Sequence, residues 1–156
     1  MKWAIFVAAT AFMLAACHTL TPEEKAQHAE QVQTALADRH FKIGVRSAYP
    51  RRGGMINVTS DFFLEVSGDS VYSYLPFFGR AYYVPLGGGK GLHFDAKILD
   101  FIEKRVKKDI TRVVFVTNSG EDTYRYTLDI YDNGQATIDV LPQERDRIRF
   151  DGELIF

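Results

Sequence analysis

A single cysteine, Cys17, serves the whole 156-residue chain, so no disulfide can form within one molecule and the fold must rest on core burial. Charge of one sign is lacking too. Nineteen Lys and Arg against 20 Asp and Glu give a formal net charge of -1, without the basicity that marks a nucleic-acid binder. The main apolar run, Trp3 to Ala16, has 14 residues, short of the roughly 20 that a membrane-spanning helix takes. His18, His28, His40 and His93 share no i, i+4 face and there is no second Cys, so neither a metal site nor any other cofactor is expected. No Ser stands in a G-x-S-x-G elbow, which leaves a hydrolase as a remote reading. Gly87-Gly88-Gly89-Lys90-Gly91 fails as a phosphate loop and reads as a flexible one: Gly91 stands where Ser or Thr is needed, and Val84 where the first Gly is needed. What remains is an ordinary globular composition, 46% hydrophobic, 13% aromatic and 25% charged. A chain of this length buries roughly 68 to 70% of its unfolded surface and can form one self-sufficient core.

The first residues read as an address. Lys2 supplies a positive start, the apolar run follows, and the segment ends Leu14-Ala15-Ala16-Cys17. This looks like a bacterial lipobox, in which small residues precede a Cys that receives diacylglycerol and becomes the new N-terminus. Residues 1–16 are then a signal peptide, 17–20 the lipid attachment and a short tether, and 21–156 one domain. Removing one Lys leaves 18 basic against 20 acidic residues, a charge of -2. Two or three acyl chains would hold the protein firmly to a membrane without spanning it. A thiol nucleophile is excluded if Cys17 carries lipid. His18 is not the Asp that retains such proteins at the inner membrane, which favours the outer membrane. Glu23 and Glu24 lie too far from Cys17 for a surface-export signal, which favours the periplasmic face.

Thr21-Pro22-Glu23-Glu24 reads as a helix start, with Thr21 as N-cap, Pro22 at the first turn and Glu24 closing a capping box. The helix is predicted to run to about Arg39, burying a thin stripe of Ala29, Val32, Leu36 and Phe41. From Phe41 on, the apolar period is two and turn residues recur, which is the pattern of an antiparallel domain. A two-residue type II′ turn at Gly68-Asp69 pairs Val66 with Val71, Leu64 with Ser73 and Phe62 with Leu75. At Asp132-Asn133-Gly134 a two-residue turn gives the wrong parity. A three-residue loop with Gly134 left-handed restores it, pairing Ile130 with Ala136, Leu128 with Ile138 and Tyr126 with Val140. Further strands are predicted at 41–48, 82–85, 92–94 and 110–117. A last one covers 147–156, with Ile148, Phe150, Leu154 and Phe156 on one face. Residues 95–108 carry Ile98, Ile102 and Val106 at helical spacing between strand-like flanks, and are assigned to a strand. Residues 110–117 are apolar on both faces and should be central or covered on both sides. The fold class is mainly β (α+β): one N-terminal helix, then a strongly curled antiparallel meander, as a sheet, a sandwich or a partly open barrel.

Several stretches carry a resemblance. They are Val58 to Asp61, Val66 to Val71, Ser73-Tyr74-Leu75-Pro76-Phe77-Phe78-Gly79-Arg80-Ala81-Tyr82, Leu92 to Asp95, Asp122 to Tyr124, Asn133 to Ala136 and Arg145 to Gly152. Together they resemble the domain-of-unknown-function family 4251, envelope lipoproteins of Bacteroidota. The resemblance implies a lipoprotein with a compact β-rich domain, and it implies no activity.

Candidate binding residues cluster in the same stretch. Tyr72, Tyr74, Phe77, Phe78, Arg80 and Tyr82 could form an aromatic platform with a fixed guanidinium, or could fill the core around a turn at Pro76 and Gly79. In the hairpin register Phe63, Tyr72 and Tyr74 share the face opposite Val66, so that face must also be covered. The basic runs 104–108 and 145–149 are interrupted by acids and read as solvated strand edges. The first functional expectation is a non-enzymatic envelope module, attached to the membrane through Cys17, that binds an envelope protein or glycan and no nucleic acid. The alternative is a carrier with an apolar cavity lined by Phe63, Tyr72 and Tyr74. Cys17→Ser is expected to abolish fatty-acid labelling and leave the protein uncleaved or soluble; a correctly processed mutant that still enters the detergent phase would overturn the anchor.

Overall fold

The computed structural model describes residues 20–82 and 91–156. The expected signal peptide, Cys17, most of the expected strand 82–85 and most of the glycine-rich segment lie outside the described residues. Helix α1 (Pro22–Ala37) starts on its capping box: the Glu24 N–H donates to Thr21 Oγ1 at 3.2 Å and the Thr21 N–H to Glu24 Oε2 at 2.7 Å. It ends two residues before the predicted Arg39. Asp38 caps it and Arg39 turns left-handed, at φ 50°, so the chain leaves directly into the first strand. Phe41 is therefore the first inward residue of that strand and not part of the helix stripe. Of the helix, only Val32 and Leu36 are buried.

Nine strands follow among the described residues: β1 (His40–Pro50), β2 (Ile56–Asn57), β3 (Phe63–Ser67), β4 (Ser70–Leu75), β5 (Leu92–Lys107), β6 (Ile110–Asn118), β7 (Thr123–Tyr131), β8 (Gln135–Pro142) and β9 (Ile148–Ile155). Each pairs antiparallel with its neighbour, and β9 returns to pair with β1 from Lys42↔Ile155 to Pro50↔Ile148. Eight strands thus close into a barrel, with β2 a two-residue addition to β1. Closure is how a long one-sided sheet hides its apolar face when one short helix cannot.

Both reasoned hairpins are present. Gly68 sits at φ 59° with no positive φ at Asp69, as a type II′ turn requires, and Val66↔Val71 and Leu64↔Ser73 pair. Gly134 is left-handed at φ 82° in a three-residue loop, with Ile130↔Ala136, Leu128↔Ile138 and Tyr126↔Val140. The expected Phe62–Leu75 pair does not form. Phe62 precedes β3, and its ring lies against Tyr74 and His93 at centroid distances of 5.2 and 6.0 Å. Phe156 also departs from its expected face: it follows the end of β9, is 64% exposed and meets His28 edge-on.

The segments predicted at 92–94 and 95–108 form one continuous strand as far as Lys107, and Lys108 belongs to the turn that follows. The helical spacing has a strand explanation, because Leu99 and Val106 are each an extra residue in a bulge. Ile98 points inward opposite Thr117, and after the first bulge Phe101 is inward and Ile102 outward. β6 lies between β5 and β7, with Val113 and Phe115 inside and Val114 and Val116 half-buried on the outer wall. The first basic run is a solvated strand edge as expected, since β4 pairs only with residues 92–97 and residues 104–107 have a strand partner on the β6 side alone. The second is not, because it runs from the β8–β9 connection into a β9 paired on both sides.

The interior is filled. Phe94, Tyr124, Tyr126 and Phe115 form a ladder of rings with successive centroids 4.8, 6.3 and 4.8 Å apart. Ser73 Oγ donates to the Leu92 carbonyl at 2.8 Å and accepts the Tyr126 hydroxyl at 3.0 Å. Burial raises the Tyr126 phenol well above its ordinary range, so it remains a neutral donor. Helix α1 closes one end, where Asp132 accepts from Gln33 Nε2 at 3.1 Å and Arg105 Nη2 at 2.6 Å. The opposite end, the mouth, is made among the described residues by 51–62, 76–82, 119–122 and 143–147.

The seam carries the tightest constraint. A Cβ on Gly152 would lie 2.1 Å from the Gly44 carbonyl oxygen across β1–β9. Gly152→Ala is expected to destabilise by about 3 kcal/mol or more, and Gly134→Ala by about 1 kcal/mol through its positive φ. Denaturant unfolding checks both, and an unchanged midpoint for Gly152→Ala would contradict the seam.

Candidate functional site

The segment 72–82 divides three ways. Tyr72 and Tyr74 project from the outer wall of β4, 50% and 43% exposed, beside Phe63 and His93; the Lys42 ammonium stands 3.7 Å above the Phe63 ring. Pro76 and Phe77 turn inward and cover the mouth, Pro76 buried and Phe77 packed on the core. Phe78, Arg80 and Tyr82 remain exposed on the rim. The structure therefore does not bring the six expected residues together as one platform.

Arg80 has its side chain exposed on the rim. Its backbone does the holding: its N–H donates to Asp146 Oδ2 at 3.2 Å and its carbonyl accepts the Asp146 N–H at 2.9 Å. Ala81 then bridges Arg145, and the Tyr82 N–H donates to the Glu144 carbonyl at 2.7 Å. The buried guanidinium belongs instead to Arg145, whose side chain is 6% exposed beside Glu121 at 3.4 Å and Asp122 at 3.7 Å. Asp122 also accepts the backbone N–H groups of Thr123, Gln143 and Glu144, tying two mouth connections together.

Asp146 anchors the rim. The Tyr82 hydroxyl donates to its Oδ1 at 2.6 Å, and Arg51 Nη1 lies 3.3 Å from the same oxygen. The Tyr82 hydrogen bond, with help from the Arg80 N–H and Arg51, holds Asp146 below the usual carboxylate range against the opposing effect of burial. The same bond, together with burial, raises the Tyr82 phenol. Beside this cluster a groove of about 670 Å³ runs along the outer wall, lined by Tyr49, Arg51, Tyr82, Leu141, Arg147 and Arg149 among others. Arg147 is held by both oxygens of Asp139, and Arg149 lies 3.4 Å from Asp151. Sequence reasoning missed Tyr49, Arg51, Asp122, Arg145 and Asp146 as site residues; only the resembling stretches 122–124 and 145–152 pointed to part of the set. The described histidines are scattered, His28 at the helix end, His40 by Ser67 and His93 on the wall. No three His, Asp or Glu side chains cluster as metal ligands among the described residues.

A family model described as a domain of unknown function, DUF4251, matches residues 23–154. The chain belongs to the DUF4251 family. A crystal structure of a DUF4251 family protein from Bacteroides eggerthii DSM 20697 is similar in fold, with a TM-score of 0.66 at 20% identity over 83% of this chain and 88% of that one. No curated protein matches. The DUF4251 description assigns no activity, so chemistry must be argued from the site itself. In this DUF4251 chain the motif 76–82 closes the barrel mouth against residues 144–146.

Arg145 and Arg80 separate structure from surface. Arg145→Ala strands the Asp122 carboxylate, whose side chain is fully buried, and is expected to cost about 3 kcal/mol or more. Arg80→Ala removes an exposed side chain and is expected to stay within about 0.5 kcal/mol of wild type. Chemical denaturation of the two variants tests this; equal losses would contradict it.

Proposed function

We propose that this DUF4251 chain is a lipid-anchored, non-enzymatic binding module of the cell envelope, held by its helix end and recognising an envelope protein or glycan at its mouth. The observation that carries the reading is the opposition of the two ends. Leu20, the first described residue, lies with His28, Asp109, Tyr131 and Asn133 at the helix end, which supports attachment of the chain by that end. The exposed Phe78, Arg80 and Tyr82 stand at the other end, away from the membrane. The absence of Asp after Cys17 supports the outer membrane, with the barrel on its periplasmic face.

Two features favour a binding module over the alternatives. Phe63, Tyr72 and Tyr74, the residues a carrier would use to line its cavity, all lie on the outer wall, while the ring ladder occupies the interior. At the mouth, Asp146 is shifted down and Tyr82 up, away from the near-neutral values that serve proton transfer.

The test places photo-crosslinkers at Phe78 and at Lys107 of the lipidated chain in its own envelope. Adducts with one discrete envelope component from Phe78 but not from Lys107 are the expected outcome. Equal labelling from both ends, or a one-to-one apolar ligand in native mass spectrometry of the purified protein, would overturn the reading.

A further inference from the structure

We propose that the groove beside Tyr82 is an oligosaccharide-binding site, an inference that rests on the mouth being the recognition end. At about 670 Å³ the groove falls within the range of small-ligand sites. Its chemistry selects among ligand classes.

Start with Tyr82. The side chain is 62% exposed, and a tyrosine so exposed normally samples several rotamers. Here the ring is fixed at both ends: the backbone N–H is bonded to Glu144, and the hydroxyl to Asp146 with Arg51 at 3.4 Å. A rigid, solvent-facing aromatic plate loses little conformational entropy when something stacks on it. Tyr49 supplies a second ring in the same lining, and Leu141, 49% exposed, adds apolar surface.

The polar groups come in matched pairs. Arg147 with Asp139, Arg51 with Asp146 and Arg149 with Asp151 each set a guanidinium beside a carboxylate, and the three arginine side chains are 63%, 62% and 53% exposed. A guanidinium has five N–H donors and a carboxylate about four acceptor positions. Asp146 is committed to Tyr82, Arg51 and the Arg80 N–H, while Asp139 and Asp151 are partly exposed and keep acceptor positions beside their arginines. Adjacent donors and acceptors match vicinal hydroxyls, each of which donates and accepts. The pyranose C–H face matches the tyrosine plates.

Other ligands fit less well. The pairwise cancellation of charge removes the electrostatic drive that a nucleic acid or phosphate polymer needs. A lipid tail would meet Arg51, Arg145, Arg147, Arg149, Asp139 and Gln143 beside the apolar part of the lining. An extended peptide cannot add as a strand, because β8 and β9 are already paired on both sides.

The experiment titrates soluble, full-length Cys17→Ser protein with two oligosaccharide series, N-acetylhexosamine and neutral hexose, each of two to six units, followed by NMR. Saturable binding by at least one series, with shifts at Tyr82, Arg147 and Arg149, is expected. Tyr82→Ala removes a stacking plate and should weaken binding about tenfold. Tyr82→Phe keeps the plate, loses the tie to Asp146 and should weaken it less; Ile102→Ala, on β5, should not change it. Thermal melts of each variant confirm that the barrel is folded. Binding by neither series, binding indifferent to Tyr82→Ala, or shifts confined to the Tyr72–Tyr74 wall would each overturn the proposal. If crosslinks from Phe78 persist in the envelope while both series fail to bind, the mouth remains the recognition end and the oligosaccharide assignment alone falls.

Discussion

Everything in this molecule depends on β9 finding β1. Seven of the eight barrel pairings join strands that follow one another along the chain, and these hairpins form locally. The eighth brings residues 148–155 to residues 42–50. Until it forms, two strand edges and the apolar face of the sheet stay open to water. The backbones approach so closely at this seam that Gly152 has no room for a side chain against Gly44. The bulge between Val45 and Ser47 adds the local twist that bends β1 around the closure.

Once the barrel closes, its two ends acquire different characters. The helix end gathers Gln33, Arg105 and Asp132 into a network that fixes α1 on the barrel. At the mouth, the Arg145–Asp122 pair is covered by the Phe77 ring, 5.8 Å from the guanidinium carbon. A buried ion pair of this kind contributes little net stability, yet losing one partner is costly. Its effect is to hold the 119–122 and 143–147 connections in one arrangement, and through Asp146 to hold the rim.

How much of this was legible in the sequence follows from how local each feature is. The Thr21–Glu24 capping box spans four residues, and the Gly134 bulge follows from counting parity across one turn, so both were readable. Strand parity stopped being a guide wherever pairing is interrupted. Bulges at Leu99 and Val106 mimicked a helical period, and Phe62 and Phe156 lie just beyond strand ends, where alternation no longer decides which way a side chain points. The candidate site was least legible. Arg51, Asp122, Arg145 and Asp146 are assembled by barrel closure from three separate connections, and none has a local pattern that distinguishes it from a solvated surface charge. The aromatic segment was visible as a cluster, but its division between wall, plug and rim depends on where the barrel ends.

The lengths of the connections differ between the two ends. Turns at the helix end are short, residues 68–69, 108–109 and 132–134, whereas the mouth connection from β1 to β3 runs over 51–62. Lengthening a connection that is already long adds little closure entropy, about 0.6 kcal/mol for each doubling, whereas a tight turn fixes the register of both strands it joins. Insertions at the mouth therefore leave the seam and the helix end undisturbed. The barrel is a fixed socket, in which the mouth connections can be exchanged while the frame that holds them stays constant.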